Sequence, residues 1–512
     1  MKPIRLLSGI LTVGGWTLLS RLLGFVRDVL IASYIGPGVV MDAFVAAFRL
    51  PNMFRRFFAE GAFNAAFVPM FAKRLEANDN PLGFAALACS GLSLILLALT
   101  GLCMIFMPAL VYATAEGFVG DERFDITVEF GRIVFPYIFF ISLAALFSGM
   151  LNAAGHFAAA AAAPLILNVF LVSAMTFAAM TGGPVAQALV WTIPIAGLAQ
   201  LALVWHASRR AGMHLPLVRP RWTPEMAQLV RIAVPAALAG GVVQINLVVG
   251  QLVASNTEKA VSWLYSADRL YQLPLGVVGI AVGIVLLPDL SRRLKAQDDT
   301  GARIALSRAG EIALALTIPC AVALTVIPIQ LVSVLFERGA FGADDSAATA
   351  LAVAIYGLGL PAFVLQKILQ PIFFAREDTR SPFRYALMAM LVNAVLAIGL
   401  AYLIGWIAAA IATSVAAWVM VAQLSGGARK FGDVARFDAQ FHRRFWRICL
   451  ASGLMGAVLW GAGALMGPLF AIGGWRWLAL LGLIAIGTVA YGLFGQMLGA
   501  FRMQEIRSRL RR

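Results

Sequence analysis

The chain has 512 residues, 61% of them hydrophobic and 13% charged, with a formal net charge of +15. Soluble domains carry about 45–50% apolar and about 25% charged residues, and a mean hydropathy of +0.86 describes far more apolar surface than a soluble fold of this size could hide. A soluble globule is excluded.

Apolar runs of about 20 residues, the length a helix needs to cross about 30 Å of hydrocarbon, recur from one end to the other. They are too long and too uniform for barrel strands. The expectation is an all-α polytopic membrane protein with about 14 transmembrane helices, at 8–35, 38–72, 83–111, 127–152, 158–181, 185–207, 227–255, 260–290, 305–336, 346–375, 382–403, 405–425, 446–467 and 473–499. Only Gly405 separates the eleventh span from the twelfth, and the alanine tract 158–163 opens the fifth.

Charge sets the orientation. With the N-terminus inside, the inner segments hold Lys2, Arg5, Lys73, Arg74, Arg209, Arg210, Arg219, Arg221, Arg292, Arg293, Lys295, Arg376, Arg380, Arg384 and the basic stretches 429–447 and 502–512. The outer segments hold little beyond Arg123, Lys259, Arg338 and Arg476. Lysine and arginine in short loops mark the cytoplasmic side, so both termini are expected there. A basic excess spread over alternate loops argues against nucleic-acid binding. Met1-Lys2-Pro3-Ile4-Arg5 leads into the first span without a small-residue cleavage site, which reads as a retained helix. Cys89, Cys103, Cys320 and Cys449 lie in apolar runs without metal or redox spacing and read as small core residues.

An internal repeat organises the chain. Ile31-Ala32-Ser33, Ala47-Phe48-Arg49-Leu50, Phe67-Val68-Pro69 and Lys73-Arg74-Leu75 recur as Val253-Ala254-Ser255, Ala267-Asp268-Arg269-Leu270, Leu286-Leu287-Pro288 and Arg292-Arg293-Leu294, about 220 residues on. The copies start in the same orientation, giving a parallel repeat of the transporter kind, with a substrate site expected between the halves. The expected division is an N-lobe at 1–219, a C-lobe at 220–425, each of six helices, and a basic loop with two additional helices and a tail at 426–512.

The first span contains Arg21, Arg27 and Asp28, and the second Asp42, Arg49, Arg55, Arg56 and Glu60. An ionised side chain at the bilayer centre costs several kcal/mol unless it meets a partner or water. Structural pairing is one reading: Arg27 with Asp42, Arg55 or Arg56 with Glu60. Yet five arginines face three carboxylates here, and Arg269 with Asp268 makes six against four. Excess fixed positive charge in a cavity favours an anion, and the guanidinium fork suits phosphate oxygens. A phosphate or pyrophosphate ligand is therefore expected in preference to a cationic one. Pro274, Gly276, Gly279, Gly283 and Pro288 make the eighth span a candidate hinge, or simply a closely packed helix. Lys367 is a further intramembrane cation, and Glu129 could pair with Arg132, three residues away. Four histidines without metal-ligand spacing, and no phosphate-loop motif, give no enzyme constellation and imply no metal or cofactor.

Ser20-Arg21-Leu22-Leu23-Gly24-Phe25-Val26-Arg27-Asp28, Met41-Asp42-Ala43-Phe44, Arg49-Leu50-Pro51-Asn52-Met53-Phe54-Arg55-Arg56 and Phe58-Ala59-Glu60-Gly61-Ala62-Phe63 resemble the MurJ (MviN) family of lipid II flippases. That family lies in the multidrug/oligosaccharidyl-lipid/polysaccharide exporter superfamily. The stretch Ser262-Trp263-Leu264-Tyr265-Ser266-Ala267-Asp268-Arg269-Leu270 adds to the likeness, which runs over essentially the whole chain. The resemblance implies a non-enzymatic transporter in a bacterial inner membrane. It would move lipid II, the undecaprenyl-pyrophosphate-linked peptidoglycan precursor, from the cytoplasmic to the periplasmic leaflet for cell-wall synthesis, with cell-wall synthesis proteins as possible partners. It further implies that Arg21, Arg27, Arg55 and Arg269 are required cavity arginines and Asp42 a required aspartate. Asp28, Arg56, Glu60, Ser262 and Asp268 match other cavity or motif positions, and the last two spans match a groove for the isoprenoid tail. Gln272 stands where some members have glutamate, which would leave Arg269 less neutralised. A flippase for another polyprenyl-linked glycan is the alternative; a membrane-embedded enzyme on polyprenyl phosphates and a non-transporting scaffold are further ones.

Overall fold

A computed structural model describes residues 6–55, 62–472 and 474–500. Among them every regular element is helical. Nine stretches among the described residues are long and apolar enough to cross a membrane; 122–153 holds two helices within one expected span, and 380–435 covers two expected spans. Three of the four remaining expected spans, the first, second and eighth, are the ones that carry the candidate site residues.

The described residues fall into two compact units, 1–262 and 263–512. The first unit opens with α1 (Leu6–Tyr34), α2 (Val39–Arg55) and α3 (Ala62–Ala77). It continues with α4 (Pro81–Ile105), α5 (Met107–Thr114), α6 (Glu122–Val134), α7 (Tyr137–Ala153), α8 (Phe157–Thr181), α9 (Val185–Arg210) and α10 (Pro224–Ser255). The helix starts are written in the sequence. Asn80 accepts from the Gly83 amide with Pro81 at the first helical position of α4, and Thr223 accepts from the Met226 amide ahead of Pro224 in α10. The core of this unit stacks Phe67 on Phe63, Phe71 and Phe84, with ring centroids 5.3, 5.6 and 5.7 Å away. Helix α10 packs on α2, α3 and α5, so it belongs with the elements of the first unit.

The long helix α11 (Ala260–Lys295) begins at the end of the first unit and runs unbroken through Pro274 and Pro288 into the second. There follow α12 (Asp299–Val326), α13 (Pro328–Phe336), α14 (Ala343–Phe374), α15 (Arg380–Ile404), α16 (Ala408–Ala428), α17 (Ala439–Leu465), α18 (Gly467–Ala471) and α19 (Arg476–Met497). Gly405, at φ 66°, ends α15 and separates it from α16 as the sequence suggested. The expected third and ninth spans each become a long helix followed by a short one, α4–α5 and α12–α13. In both, a proline at the first or second position of the short helix starts it anew.

The two extra helices are fastened to α12. A β-carbon on Gly456 would lie 2.7 Å from Val322, and one on Gly487 2.9 Å from Leu459, so glycine sets how closely α17 meets α12 and α19. At one end, buried Glu311 of α12 accepts from Arg444 at 3.0 Å and from Arg308, which also donates to Asp438 at 2.7 Å. At the other, Arg476 donates to the Phe470 carbonyl at 2.7 Å and to Glu337 at 3.3 Å. All four cysteines are free thiols; Cys103 is buried and the others half-buried.

Candidate functional site

In the first unit the site begins on α1. Arg27 donates from Nη2 to Asp28 at 2.8 Å and from Nη1 to the Asn168 amide oxygen of α8, also at 2.8 Å. Asn168 in turn donates to the Ser20 carbonyl at 3.0 Å, which ties it to α1 a second time. Asp28 is buried, Arg27 half-buried, and Arg21, two turns earlier, exposed. The guanidinium is thus held by a carboxylate and an amide within a largely apolar helix, the kind of partners an arginine needs at membrane depth. Asn168 was not singled out from the sequence, although a lone asparagine in the apolar stretch of α8 is the signal that could have found it.

The expected Arg27–Asp42 pair is corrected by the structure. The ion-pair partner of Asp42 is Arg123, at 3.5 Å. Asp42 is fully buried and accepts from the Lys259 amide at 2.8 Å, the Ser262 amide at 2.9 Å and the Ser262 hydroxyl. A carboxylate in the first turn of α2 therefore caps the start of α11, where backbone N–H groups lack helical partners. Arg123, expected as an outer-loop cation, is a core residue exposed by only 5%. It donates to Asp121 at 2.6 Å and to the Ser255 carbonyl at 3.2 Å, and lies 4.5 Å from the Phe118 ring centre. Gly117 completes the node: its amide donates to Ser255 Oγ at 3.0 Å, and a β-carbon there would strike the Ser255–Asn256 backbone at 2.5 Å.

Along α2, Arg49 donates to the Leu247 carbonyl of α10 at 3.0 Å, and Arg55 to Asn52 one turn back at 3.2 Å. Arg56 and Glu60, and with them the expected Arg55 or Arg56 pairing to Glu60, lie outside the described residues. The expected Glu129–Arg132 pair is also replaced. Arg132 donates to the Met104 carbonyl at 3.2 Å, and no Glu129–Arg132 ion pair is found among the described residues. Met104 sits in the last turn of α4, whose carbonyls have no helical donors, so a nearby arginine satisfies one of them.

In the second unit the site residues lie on α11. Gln272 donates to Asp268 one turn earlier, and the Arg269 guanidinium sits 4.4 Å from the ring centre of Tyr265. Gln272 thus acts as a neutral hydrogen-bond partner of Asp268. Lys367 is exposed midway along α14.

Long apolar helices with internal arginines held by protein partners define a multi-pass membrane transporter. The fold is shared with solved membrane proteins. One is the inward-facing conformation of a multidrug resistance MATE family transporter of the MOP superfamily, matched with a TM-score of 0.68 over 81% of this chain and 95% of that one at 13% identity. A higher score, 0.80, is reached against a structure titled lipid II flippase MurJ, inward closed conformation, over 95% of this chain and 98% of that one at 26% identity. The family model described as lipid II flippase MurJ matches residues 31–478. A probable lipid II flippase MurJ of Rhizobium tropici is 44% identical over 99% of this chain and 97% of its own. A lipid II flippase MurJ of Burkholderia cenocepacia is 35% identical over 76% of this chain and 77% of its own. The chain belongs to the lipid II flippase MurJ family.

Proposed function

We propose that this chain flips lipid II from the cytoplasmic to the periplasmic leaflet of a bacterial inner membrane by alternating access, with both termini cytoplasmic. The observation that carries the reading is Arg27, a charge in the body of an apolar helix that two protein partners hold in place. Such a device is costly for a helix that only packs, and it suits a ligand bearing a pyrophosphate.

Arg21, Arg27, Arg55, Arg56 and Arg269 are proposed to neutralise that anion. Asp28, Glu60 and Asp268 are proposed to hold arginines or neighbouring groups in position, and Asp42 with Ser262 to fix where α11 begins. Asp42 and Ser262 are 220 residues apart, the offset of the repeat, so repeat-equivalent positions meet in this hydrogen bond. That supports the repeat of about 220 residues, from which lobes 1–219 and 220–425 with 426–512 appended are proposed, although by packing α10 and Ser262 cluster with the first unit. The appended helices are proposed to carry the polyprenyl tail, and cell-wall synthesis proteins are candidate partners.

The test is rescue of cells depleted of their own lipid II flippase, with lipid II quantified in each leaflet. Rescue with lipid II restored to the outer leaflet is expected. Failure to rescue at normal membrane levels overturns the assignment in favour of another polyprenyl-linked glycan.

A further inference from the structure

In the first unit a pocket of about 550 Å³ opens where the α3–α4 turn meets the connection from α9 to α10. Arg74, Arg219 and Arg221 line it, backed by Phe84, Leu87 and Val218. Its floor is built. The Arg74 guanidinium lies 5.0 Å from the Phe84 ring centre and within 3.3 Å of Asp79 and 3.6 Å of Glu225. Two helix starts reach the same pocket: Asn80 and Gly83 of α4, and Thr223 ahead of α10. Helix N-termini add partial positive charge to that of the arginines. Arg219 and Arg221 are exposed, and among the described residues no hydrogen bond or ion pair to them is found. Among the described residues Glu225 is the one acid lining the pocket, against three arginines, so cations outnumber acids there.

The α9–α10 connection has an apolar outer edge that folding does not use. Met213 is buried and accepts from the Ser208 hydroxyl at 3.1 Å, and Leu215 packs on the core. Leu217 and Trp222, however, are 106% and 75% exposed, on either side of Arg219 and Arg221. Large apolar side chains turned outward next to arginines suit the boundary between headgroups and acyl chains. A free phosphate ion would make no use of them.

We propose that this pocket is a binding site for the phosphate of an anionic phospholipid headgroup. Arg219 and Arg221 bind the phosphate over the Arg74 floor, and Leu217 and Trp222 lie against the acyl region. The site is separate from the arginines of α1 and α2 and does not depend on which lipid the protein transports.

The test uses the purified full-length protein in neutral detergent, titrated with short-chain phosphatidylglycerol, short-chain phosphatidylcholine and inorganic phosphate, with bound species counted by native mass spectrometry. Phosphatidylglycerol is expected to bind in preference to both others. Arg219→Ala/Arg221→Ala is expected to weaken it about thirtyfold, about fivefold for each lost cation, and Arg219→Lys/Arg221→Lys to retain it. Equal retention of phosphatidylglycerol by wild type and the alanine pair overturns the site. Inorganic phosphate binding as tightly as phosphatidylglycerol overturns the lipid assignment, and equal binding of the two lipids overturns the role of charge.

Discussion

Asn168, which the sequence did not single out, and Arg123, expected there only as an outer-loop cation, decide how the conspicuous side chains behave. Arg27 stands out because charge is rare in a span; Asn168 does not, because an amide in an apolar helix carries no charge to count. Hydrogen bonds to charged groups are worth about 1.5–3 kcal/mol, so Asn168→Ala should leave Arg27 misplaced and lower flipping about tenfold at normal membrane levels. Arg27→Lys should do no better, since an ammonium cannot reproduce the fork that meets Asp28 and Asn168 together. Complementation titrated against protein level checks both, and full activity of Asn168→Ala would remove it from the site. Arg123 presents a different balance. Deleting one partner of a buried ion pair costs about 3–5 kcal/mol, whereas replacing both by apolar or neutral groups can be nearly neutral. Arg123→Met should therefore lower the thermal midpoint of the purified protein more than Asp42→Asn/Arg123→Met does. An additive double-mutant cycle would show that the pair is not coupled.

At the scale of elements, the sequence places most helices within a few residues because apolar length and caps are local properties. It misses the short helices α5 and α13, since a proline inside an apolar run changes the path of the backbone without changing its hydropathy. Pairing partners were not legible: the sequence offered Asp42 for Arg27 and Glu129 for Arg132, whereas Arg27 meets Asp28 and Asn168 and Arg132 meets the Met104 carbonyl. Asp42 and Arg123 meet through tertiary packing, which no spacing rule encodes. The α14–α15 turn shows the same principle outside the membrane. Lys430 donates to Asp378 at 2.6 Å and the Ser381 hydroxyl donates to it at 2.7 Å, and together they hold this carboxyl at about 2, below its ordinary 3.8. A depressed carboxylate adds stability above its unfolded value and loses it as pH falls through the folded one. Asp378→Asn should therefore lower the thermal midpoint by a constant amount from neutral pH down to about 4, and the gap should close toward about pH 2. A gap that stays unchanged through that window would mean the carboxylate's charge is not what fastens the turn to Lys430.

For the whole molecule, the all-helical membrane fold and, roughly, its number of helices were legible because a bilayer imposes one length on every crossing. The clustering of α10 with the first unit was not, because connection order in the chain does not state which elements pack together. Orientation rests on a different physical signal, the excess of arginine and lysine in alternate connections, and it has a direct test. His214 and Asp433 lie in exposed connections assigned to the cytoplasm, and Glu258 in the exposed connection between α10 and α11 assigned to the periplasm. Asp433 makes only a surface ion pair with Arg436 at 3.4 Å, an interaction worth at most about 1 kcal/mol, so replacing it should leave the fold intact. In a background with Cys89, Cys103, Cys320 and Cys449 replaced by alanine, and shown still to complement, each position is changed to cysteine in turn. A membrane-impermeant maleimide should label Glu258→Cys in cells with a permeabilised outer membrane and intact inner membrane, and His214→Cys and Asp433→Cys only after lysis. The reverse pattern would invert the topology. It would turn the pocket lined by Arg74, Arg219 and Arg221 toward the periplasm, and the charge bias would then no longer account for how this protein sits in its membrane.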